Sequence, residues 1–185
     1  MNHLATSKED ILAASRELIK ENGWAAVSIR ALASRCSVSS GTIYNYYESK
    51  ADLLGDTIES IWQEIFFHPE DEQIFHDAAA CISWIYERLE YGNRQFPGFF
   101  SLHSFSFMRE EKNDGKKRMM KTWGHIQNGL CNVLKNDLKI RPDVFDQQFT
   151  ENQFADILFS LILVAITRQD YDPSSVLMLI NKTLY

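Results

Sequence analysis

The stretch from Ser28 to Lys50, SIRALASRCSVSSGTIYNYYESK, constrains the fold of this chain more than any other. Its first serine can cap the free amides of a helix that ends near Cys36, in which apolar residues recur at helical spacing. The serines on both sides of Val38 interrupt that periodicity and predict a tight turn. A second short helix follows and ends at Tyr47. Two short helices joined by such a turn predict a helix-turn-helix.

The second of these helices has two unlike faces. Ile43 and Tyr47 stand four residues apart and are predicted to point inward. The opposite face carries polar and phenolic side chains: Ser40, Thr42, Tyr44, Asn45 and Tyr46. Because phenols and amides hydrogen-bond phosphates and bases, we expect this helix to enter the major groove of DNA. The alternative is that the tyrosines only pack and that Gly41 only relieves crowding.

The segment VSSGTIYNYYESKADLL is the most specific part of a resemblance to the tetracycline-repressor (TetR) family of transcriptional regulators, which spans roughly residues 6 to 66. The resemblance implies a phosphate contact by the Ser28 hydroxyl and a phosphate clamp by Lys50. It also implies backbone contacts by Thr42 and Tyr46, and backbone or base contacts by Tyr44 and Asn45. The full set predicted to contact DNA is Ser28, Ser39, Ser40, Gly41, Thr42, Tyr44, Asn45, Tyr46 and Lys50.

Two residues depart from the family pattern. Ser37 stands where glycine is common, so the turn is expected to be altered. Tyr46 replaces a frequent histidine, so the preferred DNA sequence is expected to differ.

The charge of the chain limits how it can bind DNA. A net charge of -6 argues against indiscriminate nucleic-acid binding, and residues 1 to 47 hold five basic and four acidic side chains. Binding is therefore expected to depend on shape and on the avidity of a dimer. The same near-neutrality motivates an alternative, a co-regulator or scaffold of this fold that acts through protein contacts without reading DNA.

Other function classes find little support in the sequence. No glycine-rich phosphate loop or nucleophile motif is present, so no enzyme is predicted. The histidines lack ligand-like spacing, so we expect neither a metal nor a cofactor. Three widely spaced cysteines and an N-terminus unlike a signal peptide favour reduced thiols and a cytoplasmic location. A redox role for Cys36 stays open.

The pattern over the whole chain predicts an all-α protein of about nine helices. A capping box of Thr6 and Glu9 would begin the first helix, which stops at Asn22. Ser49, with Asp52, would begin the fourth helix over 49–67, a connector. We therefore expect a DNA-binding domain over 1–50 and an effector-binding and dimerisation domain over 68–185.

The second domain is predicted to hold a pocket for a small apolar or aromatic effector. Helical stretches over 73–107 and 116–138 are aromatic, with a break between Gly92 and Gly98; composition alone also permits strand in FFSLHSFSFM. The predicted lining is Trp84, Phe99, His103, Phe105, Trp123 and His125. The alternative is that these side chains fill a core.

The last two helices are predicted to form the interface of a homodimer. The helix over 149–169 is apolar nearly all round, and its ten-residue apolar run is too short to span a membrane. The predicted interface residues are Phe154, Leu158, Leu161, Ile162, Ala165, Leu177 and Ile180. The alternative is a core within one chain. The function expected from these features is a repressor that binds a palindromic operator as a homodimer and is released by the effector.

Overall fold

The computed structural model describes residues 6–66, 75–100 and 114–185, with backbone only for 114–122. In these ranges the chain forms eight α-helices and no strand, which confirms the all-α prediction. The helices are α1 (Lys8–Asn22), α2 (Ile29–Arg35), α3 (Ser40–Tyr44), α4 (Lys50–Phe66), α5 (Ala78–Gln95), α6 (Asp114–Asn136), α7 (Glu151–Arg168) and α8 (Ser174–Thr183), with a 3-10 turn at Trp24–Ala26.

Helix α1 begins one residue later than the predicted cap. Ser7 Oγ accepts from the backbone N–H of Asp10 at 3.1 Å, and Asp10 Oδ2 accepts from the Ser7 N–H at 2.8 Å. The predicted capping box of Thr6 and Glu9 is therefore wrong, because the next serine and aspartate satisfy the same amides. The helix ends at Gly23, whose φ of 78° lies in the region that glycine adopts without strain.

Capping residues also determine where two other helices, α4 and α7, begin. The Asp52 N–H donates to Ser49 Oγ at 3.1 Å, which confirms the predicted cap of α4. Thr150 and Gln153 form a capping box that the sequence analysis missed, so α7 starts at Glu151 rather than at residue 149.

The chain divides into two compact units. The first holds 6–66 together with Gly92–Phe99, and the second holds the other described residues. In the first unit the Phe99 ring lies 5.6 Å from Trp62 and 6.4 Å from Trp24, while Trp62 stacks on Phe66. A short segment beyond residue 68 thus completes the aromatic core of the N-terminal unit.

In the second unit α6 and α7 run antiparallel. The Trp123 ring meets Phe159 at 5.9 Å, and Cys131, two turns later on α6, contacts Asn152 near the start of α7. Since the residue numbers rise on one helix as they fall on the other, the two helices have opposite directions.

The buried carboxylate of Asp137 forms hydrogen bonds with two distant segments of the second unit. Asp137 Oδ2 accepts from the Ala78 N–H at 2.8 Å and from the Tyr185 hydroxyl at 2.6 Å. Burial, and then the neighbouring Asp137 carboxylate, raises the pKa of the Tyr185 phenol. One aspartate therefore joins the start of α5 to the C-terminal residue.

Candidate nucleic-acid interface

The turn between α2 and α3 keeps a left-handed backbone without glycine. Ser28 caps α2 by accepting from the Ala31 N–H at 3.1 Å. After α2, Ser37 adopts φ 56°, a conformation that costs a non-glycine residue about 1–2 kcal/mol. Hydrogen bonds hold it there: Ser37 N–H donates to Ser34 O at 3.1 Å and Val38 N–H donates to Ala33 O at 2.9 Å. These two hydrogen bonds stabilise the left-handed conformation of Ser37, so the turn forms without the glycine that is common in the family.

The start of α3 is an exposed, polar surface. Ser39 Oγ accepts from the Thr42 N–H at 3.1 Å and lies 3.0 Å from the Thr42 hydroxyl oxygen. Ser40 and Gly41 are exposed beside them. A Cβ on Gly41 would meet only Ser39 Oγ, at an ordinary 3.6 Å, so crowding within the chain does not require glycine there. Glycine does leave room for a phosphate backbone to approach.

The two faces of α3 separate as the sequence predicts. Ile43 and Tyr47 are 0% and 1% exposed, whereas Tyr44 is 53% exposed and Asn45 is exposed next to it. The helix itself is shorter than predicted and ends at Tyr44, with a turn leading to Tyr47. A phenol and an amide are therefore presented outward, and both can donate to and accept from base edges and phosphates.

Tyr46 has a different place from the one that the resemblance implies. Its half-buried hydroxyl donates to the backbone oxygen of Thr6 at 2.6 Å. Because a phenol has one hydrogen, Tyr46 cannot donate to a phosphate while this bond is intact. In this structure the Tyr46 hydroxyl therefore connects the segment after α3 to Thr6, two residues before α1.

Few cations of residues 6–66 are available to phosphates. Of the five in residues 1 to 47, four pair with carboxylates: Lys8, Arg16, Lys20 and Arg35. Arg30, in the first turn of α2, and Lys50, the first residue of α4, are exposed and form no ion pair with a described residue. The sequence analysis missed Arg30, although its position two residues after the capping serine could have indicated it.

Four of the residues predicted for the effector pocket are described: Phe99 in the first unit, and Trp84, Trp123 and His125 in the second. Phe99 belongs to the aromatic core of the first unit, and His125 is exposed. Trp84 lies 5.2 Å from Phe75, and Trp123 packs on α7 as described above. His103 and Phe105 lie outside the described residues. No group of three metal-ligating side chains occurs among the residues described.

Most residues predicted for the dimer interface pack inside a single chain. Phe154, Leu158, Ile162, Ala165 and Ile180 are buried within the protomer, and Leu161 and Leu177 are half-buried. Six large apolar side chains are exposed in the described part of the chain, and four of them lie on α7 and α8: Ile157, Val164, Met178 and Leu179. An outer apolar face on these two helices, defined by those four residues, thus differs from the predicted set. No helix in the described ranges has the length and apolar character needed to cross a membrane.

Comparison with known proteins gives a family match within the N-terminal unit. Residues 11–57 match the family described as bacterial regulatory proteins, tetR family. The HTH-type transcriptional regulator UidR of Escherichia coli K12 is 41% identical over 44 residues, which are 24% of this chain and 22% of UidR. Over these residues the N-terminal unit is similar to TetR-family regulators. The match to UidR spans about a fifth of that protein's length.

Solved structures of similar fold align with nearly the whole chain. FadR from Bacillus subtilis in complex with stearoyl-CoA has a TM-score of 0.65 at 22% identity, covering 97% of this chain and all of FadR. A TetR transcriptional regulator from Legionella pneumophila has a TM-score of 0.63 at 20% identity, with both chains fully covered. At these identities the likeness concerns the fold. The family match itself includes all of α2 and α3, and with them Tyr44 and Asn45.

Proposed function

We propose that this protein is a DNA-binding transcriptional repressor that reads a roughly palindromic operator as a homodimer. The observation that carries the proposal is the division of α3 into a buried side, with Ile43 and Tyr47, and an exposed side of small, polar and phenolic residues. A phenol and an amide that point into solvent contribute nothing to core packing, whereas both can form hydrogen bonds in the major groove of DNA.

The contacts to DNA divide into two kinds. Tyr44 and Asn45 lie at the exposed end of α3 and reach bases or the sugar-phosphate backbone. Lys50 and Arg30 supply charge to phosphates, and the exposed Ser40 and Gly41 let the backbone of α3 approach. Because residues 6–66 hold so few available cations, one half-site binds weakly. A dimer on two half-sites, about 34–36 Å apart, supplies the missing affinity.

The outer apolar face of α7 and α8 supports the homodimer. Apolar residues scattered singly over a surface need no explanation, but four of the six that are exposed in the described chain stand on these two helices. Ile157 and Val164 are two turns apart on α7, so both occupy one side of that helix. Pairing this side with its copy in a second chain would remove it from water.

The second unit is the place proposed for the effector. The similar FadR structure was solved with stearoyl-CoA, an acyl ligand bound by that protein. For this chain we propose a small apolar or aromatic molecule that favours a dimer geometry unsuited to the operator. An effector that prefers that state about 100-fold shifts the DNA-binding equilibrium by roughly 2.7 kcal/mol. The proposal includes a cytoplasmic location and no catalytic activity.

A co-regulator that does not read DNA is the second candidate. The observation that favours it is the pairing of Lys8, Arg16, Lys20 and Arg35 with carboxylates, which leaves little free positive charge on the first unit. The two candidates differ in whether the exposed side of α3 affects DNA binding at all.

Two substitutions test the proposed function. With the duplex that the wild-type protein selects from a randomised pool, we expect Tyr44→Ala to weaken binding by roughly 10- to 100-fold, because a base or sugar contact is lost. Lys50→Ala should weaken binding by a similar factor on every sequence, because it removes a phosphate contact. Fluorescence anisotropy measures the affinity, and circular dichroism checks the fold.

The matched control for Lys50→Ala is Lys135→Ala, an exposed lysine in the last turn of α6. It is expected to leave the affinity unchanged. Wild-type affinity in both the Tyr44 and the Lys50 variant would reject DNA reading by α3 and favour the co-regulator.

A further inference from the structure

Arg16 on α1 is the centre of a polar network with α4. Its Nε lies 2.9 Å from Glu64 Oε2, and its Nη1 donates to Ser60 Oγ at 2.5 Å. The Nη2 group reaches Glu9 on the same helix at 3.2 Å. The Arg16 side chain is only 17% exposed and Glu64 only 22%, so the bonds to Ser60 and Glu64 are largely shielded from solvent, whereas Glu9 is exposed. All three nitrogen atoms of one guanidinium are thus engaged by surrounding oxygens.

Two more ion pairs extend this network along the same two helices. Lys20 Nζ lies 2.8 Å from Glu64 Oε1, and Lys8 Nζ lies 2.5 Å from Asp56 Oδ2. Every cation belongs to α1. The acceptors on α4, Asp56, Ser60 and Glu64, follow at intervals of four residues and therefore share one side of that helix. We call Lys8, Arg16, Lys20, Asp56, Ser60 and Glu64 the α1–α4 polar strip.

The polar strip depends on the register of the helices more than the core beneath it does. The burial of apolar side chains on the two helices, such as Ile11 and Ile19 on α1 and Ile61 and Ile65 on α4, is not directional. A slide of one helix by a single turn of about 5.4 Å, in contrast, breaks the two ion pairs that share Glu64, because the acceptor one turn earlier on α4 is the uncharged Ser60. Shielded polar groups are best attested in proteins as determinants of register. The strip therefore specifies one alignment of α1 on α4.

Helix α1 and the segment before it also contact the two tyrosines that follow α3, the helix proposed to read DNA. Thr6, two residues before α1, accepts the Tyr46 hydroxyl, and Lys8 Nζ lies 5.1 Å from the centre of the Tyr47 ring. Both tyrosines directly follow α3 and Asn45. Through these contacts α1 links α3 to α4, the last helix before the chain passes from the first unit to the second.

We propose that Arg16 is a positioning residue that, through Glu64 and Ser60, fixes α3 relative to α4 and so determines which half-site spacing a dimer accepts. This inference rests on the proposed function. A loosened strip lets α3 take more than one position relative to α4. The dimer then tolerates operators whose half-sites are too close or too far apart.

The test compares operators that differ only in spacing. The duplex selected by the wild-type protein is lengthened or shortened by one and by two base pairs between its half-sites, and affinity is measured for each. We expect the wild-type protein to prefer its own spacing. Arg16→Met, which keeps an aliphatic stem of similar length, is expected to reduce that preference about tenfold. Glu64→Gln, which is nearly isosteric, should act in the same direction and guards against misfolding of the first variant.

Control variants separate register from general stability. Arg35→Met removes a bidentate pair with Glu21, at 2.6 and 2.7 Å, that joins α2 to α1 and does not involve α4. It is expected to keep the wild-type spacing preference. The exchange Arg16→Glu with Glu64→Arg should regain part of the preference that Arg16→Glu alone loses.

Two results would overturn the inference. If Arg16→Met and Glu64→Gln fold and retain the full spacing preference, the strip has no positioning role, while the proposed function stands. If the wild-type protein selects no duplex, the proposed function and the inference fail together.

Discussion

Val164→Glu is expected to convert the protein from a dimer to a monomer and to lower operator affinity by at least about a hundredfold. Val164 is 42% exposed within one protomer and shares a side of α7 with Ile157. In a dimer through this face, the new carboxylate would be buried against apolar atoms without a partner, which costs several kcal/mol. Native mass spectrometry measures the number of subunits and any retained small molecule, and anisotropy measures the affinity.

The control for this substitution is Leu138→Glu. Leu138 is 98% exposed and lies after α6, on neither α7 nor α8. An added carboxylate there stays in water, so the dimer should persist. A Val164→Glu protein that remains dimeric would assign the interface to another surface of the chain.

Phe99→Ala is expected to destabilise the first unit by about 3–5 kcal/mol. The Phe99 side chain is 1% exposed, and its ring contacts Trp62, Trp24 and Phe96, so its removal leaves a cavity between aromatic side chains. Urea denaturation followed by tryptophan fluorescence measures the loss, since two of the neighbours are tryptophans.

The comparison for Phe99→Ala is Phe75→Ala. Phe75 is half-buried beside Trp84 in the second unit, so its truncation should cost less. If Phe99→Ala left stability unchanged and abolished binding of a small molecule, Phe99 would belong to an effector site, as the sequence analysis expected, and the core described here would be incorrect.

The helix-turn-helix could be predicted from the sequence because its signals are local. Ile43 and Tyr47 stand one turn apart, and the capping serines precede the helices that they cap, so periodicity and capping suffice. The bond from Tyr46 to Thr6 joins residues 40 positions apart in the chain, and no local pattern indicates it. The position of Tyr46 in the family pattern therefore implied a DNA contact, whereas its structural environment places its hydroxyl against the protein.

The assignment of apolar residues to particular surfaces was harder to predict. Helix α7 is apolar nearly all round, so its sequence does not say which residues face the protomer and which face outward. Within the protomer Leu158 and Ile162 are buried, whereas Ile157 and Val164 are exposed. Phe99 likewise lies in an aromatic stretch after residue 68, and only the tertiary structure assigns it to the first unit. The effector pocket was inferred from aromatic density, which does not distinguish a cavity from a core.

The salt dependence of wild-type binding to its selected duplex tests the central claim most directly. With Arg30 and Lys50 as the available cations of residues 6–66 in each protomer, a dimer neutralises about four phosphates, so log K should fall with log salt at a slope of about −3.6. Affinity should therefore drop roughly a hundredfold between about 50 and 200 mM salt. A flat salt dependence, or no duplex selected at all, would contradict DNA reading by this protein and would favour a role through protein contacts.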